Sequence, residues 1–303
     1  MDSYFLMQIV NGLSAGMIYA LIAIGFTLIF GVLNVVNFAH GEMYTIGAFA
    51  GLVCINALNW PLALVIVAAL AAGGIAGIGL EKIAFKPFRR FQDEASLKSR
   101  AMREATLLSS LAFSIIIKEL LQHFFGAEMQ TIPGQYLLNN PIPVGPLSFS
   151  TGQFLILGSS VVMLGGLQYV LYHTRIGLSI RAISNNPLGA KYVGLSVDKT
   201  IIATFGVGSM LGGAAGIMVG LYYGAIFPSM GFAPSIKAFV AMVMGGLSSI
   251  PGAVICALIL GVCESLATDF MTQGWSDMVA YGFLILTLIF FPQGIFGARR
   301  ERV

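Results

Sequence analysis

Leu6-Met7-Gln8-Ile9-Val10-Asn11-Gly12-Leu13-Ser14-Ala15-Gly16-Met17-Ile18-Tyr19-Ala20-Leu21-Ile22-Ala23-Ile24-Gly25-Phe26-Thr27-Leu28-Ile29-Phe30-Gly31-Val32-Leu33 holds no charged side chain. Crossing the hydrocarbon core of a bilayer takes about 20 predominantly apolar residues, so this stretch is read as a membrane-spanning helix. Met1 to Met7 contains no Lys or Arg and lacks the basic region of a cleavable signal peptide. The helix is therefore expected to be retained. The rest of the 303-residue chain has the same character, with 57% hydrophobic and only 10% charged residues and a mean hydropathy of +0.88. Soluble domains carry about 25% charged residues. This chain cannot cover a water-facing surface, and its apolar content excludes disorder.

Further apolar windows lie near 43–58, 61–81, 105–126, 151–173, 201–224, 236–250, 253–268 and 278–292. The expected fold is all-α: one polytopic transmembrane bundle, 1–303, of about eight or nine spans. The windows at 43–58, 236–250 and 253–268 are short, so one or two are expected to be broken or bent. Basic residues orient the bundle. Lys82, Lys86, Arg89, Arg90, Lys98, Arg100 and Arg103 lie in the loop at about 82–104. Arg175, Arg181, Lys191 and Lys199 lie in that at 174–200, and Arg299, Arg300 and Arg302 in the tail. The loop at about 127–150 has none. The positive-inside rule puts the first three in the cytoplasm, with the N-terminus and 127–150 outside.

Several chemistries lose their support. Gly12-Leu13-Ser14-Ala15-Gly16 spells a nucleophile elbow, but that motif needs a strand before it and a helix after it. No GxxxxGK[ST] or H-E-x-x-H occurs, so no P-loop or zincin site is expected. Cys54, Cys256 and Cys263 sit in apolar runs without C-x-x-C and read as small buried hydrophobes. The charge pattern points to membrane lipid and not to nucleic acid. No catalytic residue, metal or cofactor is expected. A membrane-embedded enzyme, the remote alternative, needs His40, Glu42, Glu119, His123 and Glu264 to converge.

Three features carry the functional reading. Gly208, Gly212, Gly216, Gly220 and Gly224 recur at every fourth position, a slowly winding helical face that lets another backbone approach. Asn34, Asn37, His40 and Glu42 interrupt the apolar stretch between residues 6 and 58. Broken helices at membrane depth are tolerated where protein or water satisfies the backbone, so this break reads either as a wall of a solute pathway or as an interfacial elbow. Pro228, Gly231 and Pro234 interrupt a comparable stretch, and paired breaks in two halves are a transporter pattern. Lys118, Glu119, Gln122 and His123 form a polar patch on the fourth span. Lys237 and Glu264, at helix ends, read as interface anchors.

Residues 12–51, with Tyr19-Ala20-Leu21-Ile22-Ala23-Ile24-Gly25-Phe26-Thr27-Leu28-Ile29-Phe30-Gly31 and Asn37-Phe38-Ala39-His40-Gly41-Glu42, closely resemble LivH-type permeases. These are the membrane subunits of branched-chain amino-acid ABC importers in bacteria. Arg181-Ala182-Ile183-Ser184-Asn185-Asn186-Pro187-Leu188-Gly189-Ala190-Lys191-Tyr192-Val193-Gly194 looks like that family's ATPase-contacting loop. Gly245-Gly246-Leu247-Ser248-Ser249-Ile250-Pro251-Gly252 resembles its glycine-rich turn, with Leu247 and Ser248 departing from the pattern. The resemblance implies a bacterial inner-membrane permease that works with two ABC ATPases, a second permease (LivM-like or another copy) and an extracytoplasmic solute-binding protein. It implies branched-chain or other amino acids as substrates, with urea or short-chain amides as the alternative. Arg181, Ala182, Asn185, Asn186, Pro187, Ala190 and Gly194 are then the ATPase-coupling loop, a short helix with Ala190 on its docked side.

Overall fold

Asn34 ends the first helix by turning left-handed, at φ 55, while its N–H still donates to the Phe30 carbonyl (2.7 Å). Asn tolerates this conformation far better than a branched residue does. The computed structural model describes residues 2–89, 100–138, 140–144, 147–270 and 273–297. Arg90, Lys98, Arg299, Arg300 and Arg302, used above to orient the chain, lie outside the described residues. The helices are α1 (Asp2–Leu33), α2 (His40–Leu58), α3 (Leu62–Leu80), α4 (Lys86–Arg89), α5 (Arg100–Phe125), α6 (Thr151–His173), α7 (Arg175–Asn185), α8 (Pro187–Tyr192), α9 (Val197–Tyr223), α10 (Phe232–Gly245), α11 (Ile250–Phe270) and α12 (Gln273–Phe290). A π-helical turn, Glu81–Phe85, joins α3 to α4.

Six of these helices are long and apolar enough to cross a membrane, and α10 and part of α12 are shorter apolar helices. The bundle is polytopic and mostly helical. The fourth expected span is helical as part of α5, which is not among the six.

The core is built around α1 and α9, the most enclosed of the long helices. Helix α9 packs on α1, α2 and α3, while α1 also packs on α10 and α11. Glycine makes these approaches possible. A Cβ on Gly12 would meet the Val262 backbone at 2.6 Å, and one on Gly16 the Leu258 backbone at 2.8 Å. Such contacts give van der Waals association where lipid removes any hydrophobic drive.

Two short ribbons complete the end of the bundle that carries the N-terminus. Strand β1 (Gln130–Thr131) pairs antiparallel with β4 (Ala225–Ile226), in register Gln130↔Ile226. β2 (Pro141–Val144) forms a hairpin with β3 (Leu147–Ser150). The 127–150 segment is thereby tied to the chain leaving α9, and the Ile132 N–H donates to the Gly224 carbonyl (3.0 Å).

Candidate functional site

The first break folds into a packed joint. The Asn37 side-chain oxygen accepts from the Ala39 N–H (3.1 Å), and the Asn37 carbonyl accepts from the His40 N–H (3.1 Å). This local turn starts α2 well inside the bundle. Asn37, His40 and Glu42 are all buried there, whereas Asn34 is exposed. The His40 ring lies edge-on to Phe26, centroids 4.8 Å apart, and Glu42 accepts from the Ser114 hydroxyl (2.9 Å). The second break comes to the same place. A Cβ on Gly41 would meet the Ser235 Cβ at 2.8 Å and the Gly231 carbonyl at 3.0 Å. Helix α2 continues beside α9 in the same direction, with Gly47 on Gly213 and Gly51 on Ile217. Helix α10 runs beside α1, with Lys237 near Tyr19 and Phe239 near Phe26. The two helices leave their meeting point in opposite directions.

An open cavity of about 620 Å³ lies at the end of the bundle that carries the N-terminus. Its walls include Asn11, Tyr19, Tyr223, Lys237, Glu264 and Asp277. Lys237 forms an ion pair with Glu264 and a second with Asp277 at 2.9 Å. The Tyr19 hydroxyl donates to the other Glu264 oxygen (2.9 Å). The structure adds to the interface-anchor reading of Lys237 and Glu264 that four elements fold these groups onto one another. None of Asn34, Asn37, His40 or Glu42 lines this cavity. Sequence reasoning missed Tyr19, Asp277 and the Lys237–Glu264 pairing. A lysine and a glutamate in separate apolar helices were the available signal.

The glycines of α9 have different surroundings. A Cβ on Gly208 would sit 3.1 Å from the Gly25 backbone, and one on Gly216 would collide with the Tyr44 carbonyl. At Gly212 the nearest atoms are 3.8 Å away, and at Gly220 they are Ile226 side-chain atoms at 2.8 Å. Gly224 lies past the helix end and caps it at φ 75, the left-handed conformation glycine adopts without strain. Gly213, outside the stripe, faces Gly73 of α3 at 3.0 Å.

At the opposite end, α7 and α8 form a small ledge. Asn186 caps α8 by accepting from the Gly189 N–H (2.9 Å), and Pro187 opens the helix. Both are favourable first-turn chemistry. Gly194 closes the segment at φ 86, Arg181 lies over the Tyr172 ring at 4.8 Å, and Ala182, Asn185 and Asn186 are partly or fully exposed. Ala190, expected on a docked face, is only 4% exposed within this chain. Tyr192 and Val193, at 81% and 78%, are the outward apolar groups.

Apolar helices too long for a soluble core, a charged cavity at one end and an exposed ledge at the other define a polytopic membrane component. Among the described residues no three His, Cys, Asp or Glu side chains gather to hold a metal ion. Residues 8–288 match the family described as branched-chain amino acid transport system, permease component, and the chain belongs to it. It is thus a transport subunit and not an enzyme. It is 34% identical to the high-affinity branched-chain amino acid transport system permease protein LivH of Escherichia coli K12, over 97% of this chain and 96% of that protein. BraD of Pseudomonas aeruginosa, with the same description, is 34% identical over equal shares. The fructose import permease protein FruG of Bifidobacterium longum is 24% identical over 86% of this chain and 75% of its own.

Proposed function

We propose that this chain is the permease subunit through which branched-chain amino acids cross a bacterial inner membrane, driven by ATP hydrolysis on partner subunits. One observation carries the substrate: the 34% identity to LivH and BraD extends over nearly the full length of both proteins, while the sugar permease is more distant. Of two ATPases, one docks at the α7–α8 ledge and the other on a second permease (LivM-like or another copy) that completes the pathway, and a solute-binding protein loads the cavity end. The basic loops put the ledge in the cytoplasm and the N-terminus outside.

In this reading the joint of Asn37, His40 and Glu42 with Gly231 and Ser235 is the closed floor of the pathway. Ala233 borders the cavity, two residues from Gly231, which supports that position. Opening requires the two helix starts to separate. Switching driven from the ledge reaches them through α9, which packs on α1, α2 and α7. The glycine contacts at Gly208 and Gly216 make α9 a stiff element in that transfer.

The test is reconstitution of the copurified complex in proteoliposomes. L-leucine uptake that needs both the binding protein and ATP is the expected result. A complex that takes up urea or a short-chain amide but no leucine overturns the substrate assignment.

A further inference from the structure

The sequence reads Lys237 and Glu264 only as interface anchors and leaves Asp277 without a use, yet ionisable groups at membrane depth are costly and mark solute pathways. Lys237 and Glu264 are each 12% exposed, and Asp277 is 52% exposed at the cavity mouth. Glu264 by itself neutralises Lys237, and Tyr19 holds its second oxygen. A purely structural pair is complete at that point. Asp277 adds a second carboxylate to the same ammonium, at the open side of the cavity.

We propose that the Lys237–Asp277 pair is a transit site for the head of a zwitterionic amino acid on its way through the cavity. The ligand inserts into the pair: its carboxylate takes the place of Asp277 on Lys237, and its ammonium moves onto Asp277. One ion pair within the protein is given up and two charge-assisted contacts to the ligand are made, offset by the water stripped from the ligand's two charges, so the site passes ligand without a deep energy well. Lys237 keeps Glu264 throughout, and the cluster stays satisfied when empty. Ala15, Ala233 and Gly261 give the same cavity a small-residue wall against which an apolar side chain of variable size can lie. An acid, an amine or an amino-acid amide carries only one of the two charges and supplies only half of the exchange. The inference rests on the proposed amino-acid substrate and adds the place and chemistry of recognition within the permease.

Cysteine protection in the reconstituted complex tests it, with Cys54, Cys256 and Cys263 replaced and Thr268→Cys introduced on the cavity wall. L-leucine without binding protein is expected to slow labelling by an impermeant maleimide. Isoamylamine, isocaproate and leucine amide are expected to need about tenfold higher concentrations, the loss of one charge-assisted contact. Asp277→Asn raises the half-protecting leucine concentration about tenfold, and Asp277→Glu restores most of it. Ala233→Cys gives an independent reporter if the first fails to assemble. Equal protection by all four compounds, none by leucine, or an unchanged response in Asp277→Asn overturns the proposal. Leucine uptake by the unsubstituted complex separates the two failures. Transport without zwitterion-selective protection sinks the transit site alone, and absent leucine transport sinks the substrate assignment.

Discussion

Gly41 and Gly231 meet backbone to backbone: a Cβ on Gly231 would collide with the Gly41 carbonyl, and one on Gly41 would stand 3.0 Å from the Gly231 carbonyl and collide with the Ser235 side chain. These residues lie in the two breaks that interrupt distant parts of the sequence. The contact joins the start of α2 to the start of α10, and Gly231 cannot grow without moving a helix. Ser235 completes the joint, its hydroxyl donating to the Gly231 carbonyl (2.5 Å).

Gly41→Ala is therefore expected to destabilise the complex by roughly 1–3 kcal/mol, the cost of overpacking a closed site. Its new methyl group points at the Ser235 side chain. Ser235→Gly in the same chain should recover part of the loss, a coupling that thermal unfolding in detergent measures as a double-mutant cycle. Additive losses would mean that the two residues do not share the joint.

Gly216→Leu and Gly220→Leu should differ. At Gly216 the obstacle is the Tyr44 backbone carbonyl, and at Gly220 it is the end of the Ile226 side chain, which can turn aside. The first substitution is expected to abolish complex yield while membrane insertion persists. The second should leave assembled complex with reduced stability. Size-exclusion yield of both variants decides it, and normal assembly of Gly216→Leu would rule out close packing of α9 on α2.

His40→Ala and Asn37→Ala are expected to lower leucine uptake without releasing the ATPases. Removing the His40 ring empties a buried space against Phe26, and such truncations cost about 2–5 kcal/mol. Uptake is read beside ATPase pull-down. Cysteines placed at 37 and 40 should react from the cavity side in one nucleotide state if this joint opens. Labelling only from the ledge side in every state would make it an elbow.

On the ledge, Tyr192→Glu and Val193→Glu should break ATPase binding while leaving the permease folded, because both side chains point outward. A charge left unpaired in a packed interface costs several kcal/mol. Ala190→Glu is expected instead to unfold α8 against its own chain, since Ala190 is buried there. Pull-down of the ATPase, with binding-protein-stimulated ATP hydrolysis, separates the three variants. Retained stimulation in Tyr192→Glu and Val193→Glu would show that coupling runs elsewhere.

Much of this architecture is legible along the chain. Apolar length marks the helices, and the expected span at 151–173 coincides with α6 (Thr151–His173), whose start is fixed by a capping box of Ser150 and Gln153. Asn186 and Pro187 likewise announce the start of α8, and the family blocks announce the permease. These signals are local, carried by residues within a few positions of one another. Which glycines touch backbone, that Ala190 turns inward, and that Gly41 meets Gly231 depend on how the helices cross. Periodicity fixes a face of a helix but not what stands opposite it. The cavity cluster is the clearest case: Tyr19, Lys237, Glu264 and Asp277 come from four helices and lie apart in the sequence. Only packing of α1, α10, α11 and α12 brings these groups within hydrogen-bonding reach, where burial of Lys237 and Glu264 favours their pairing.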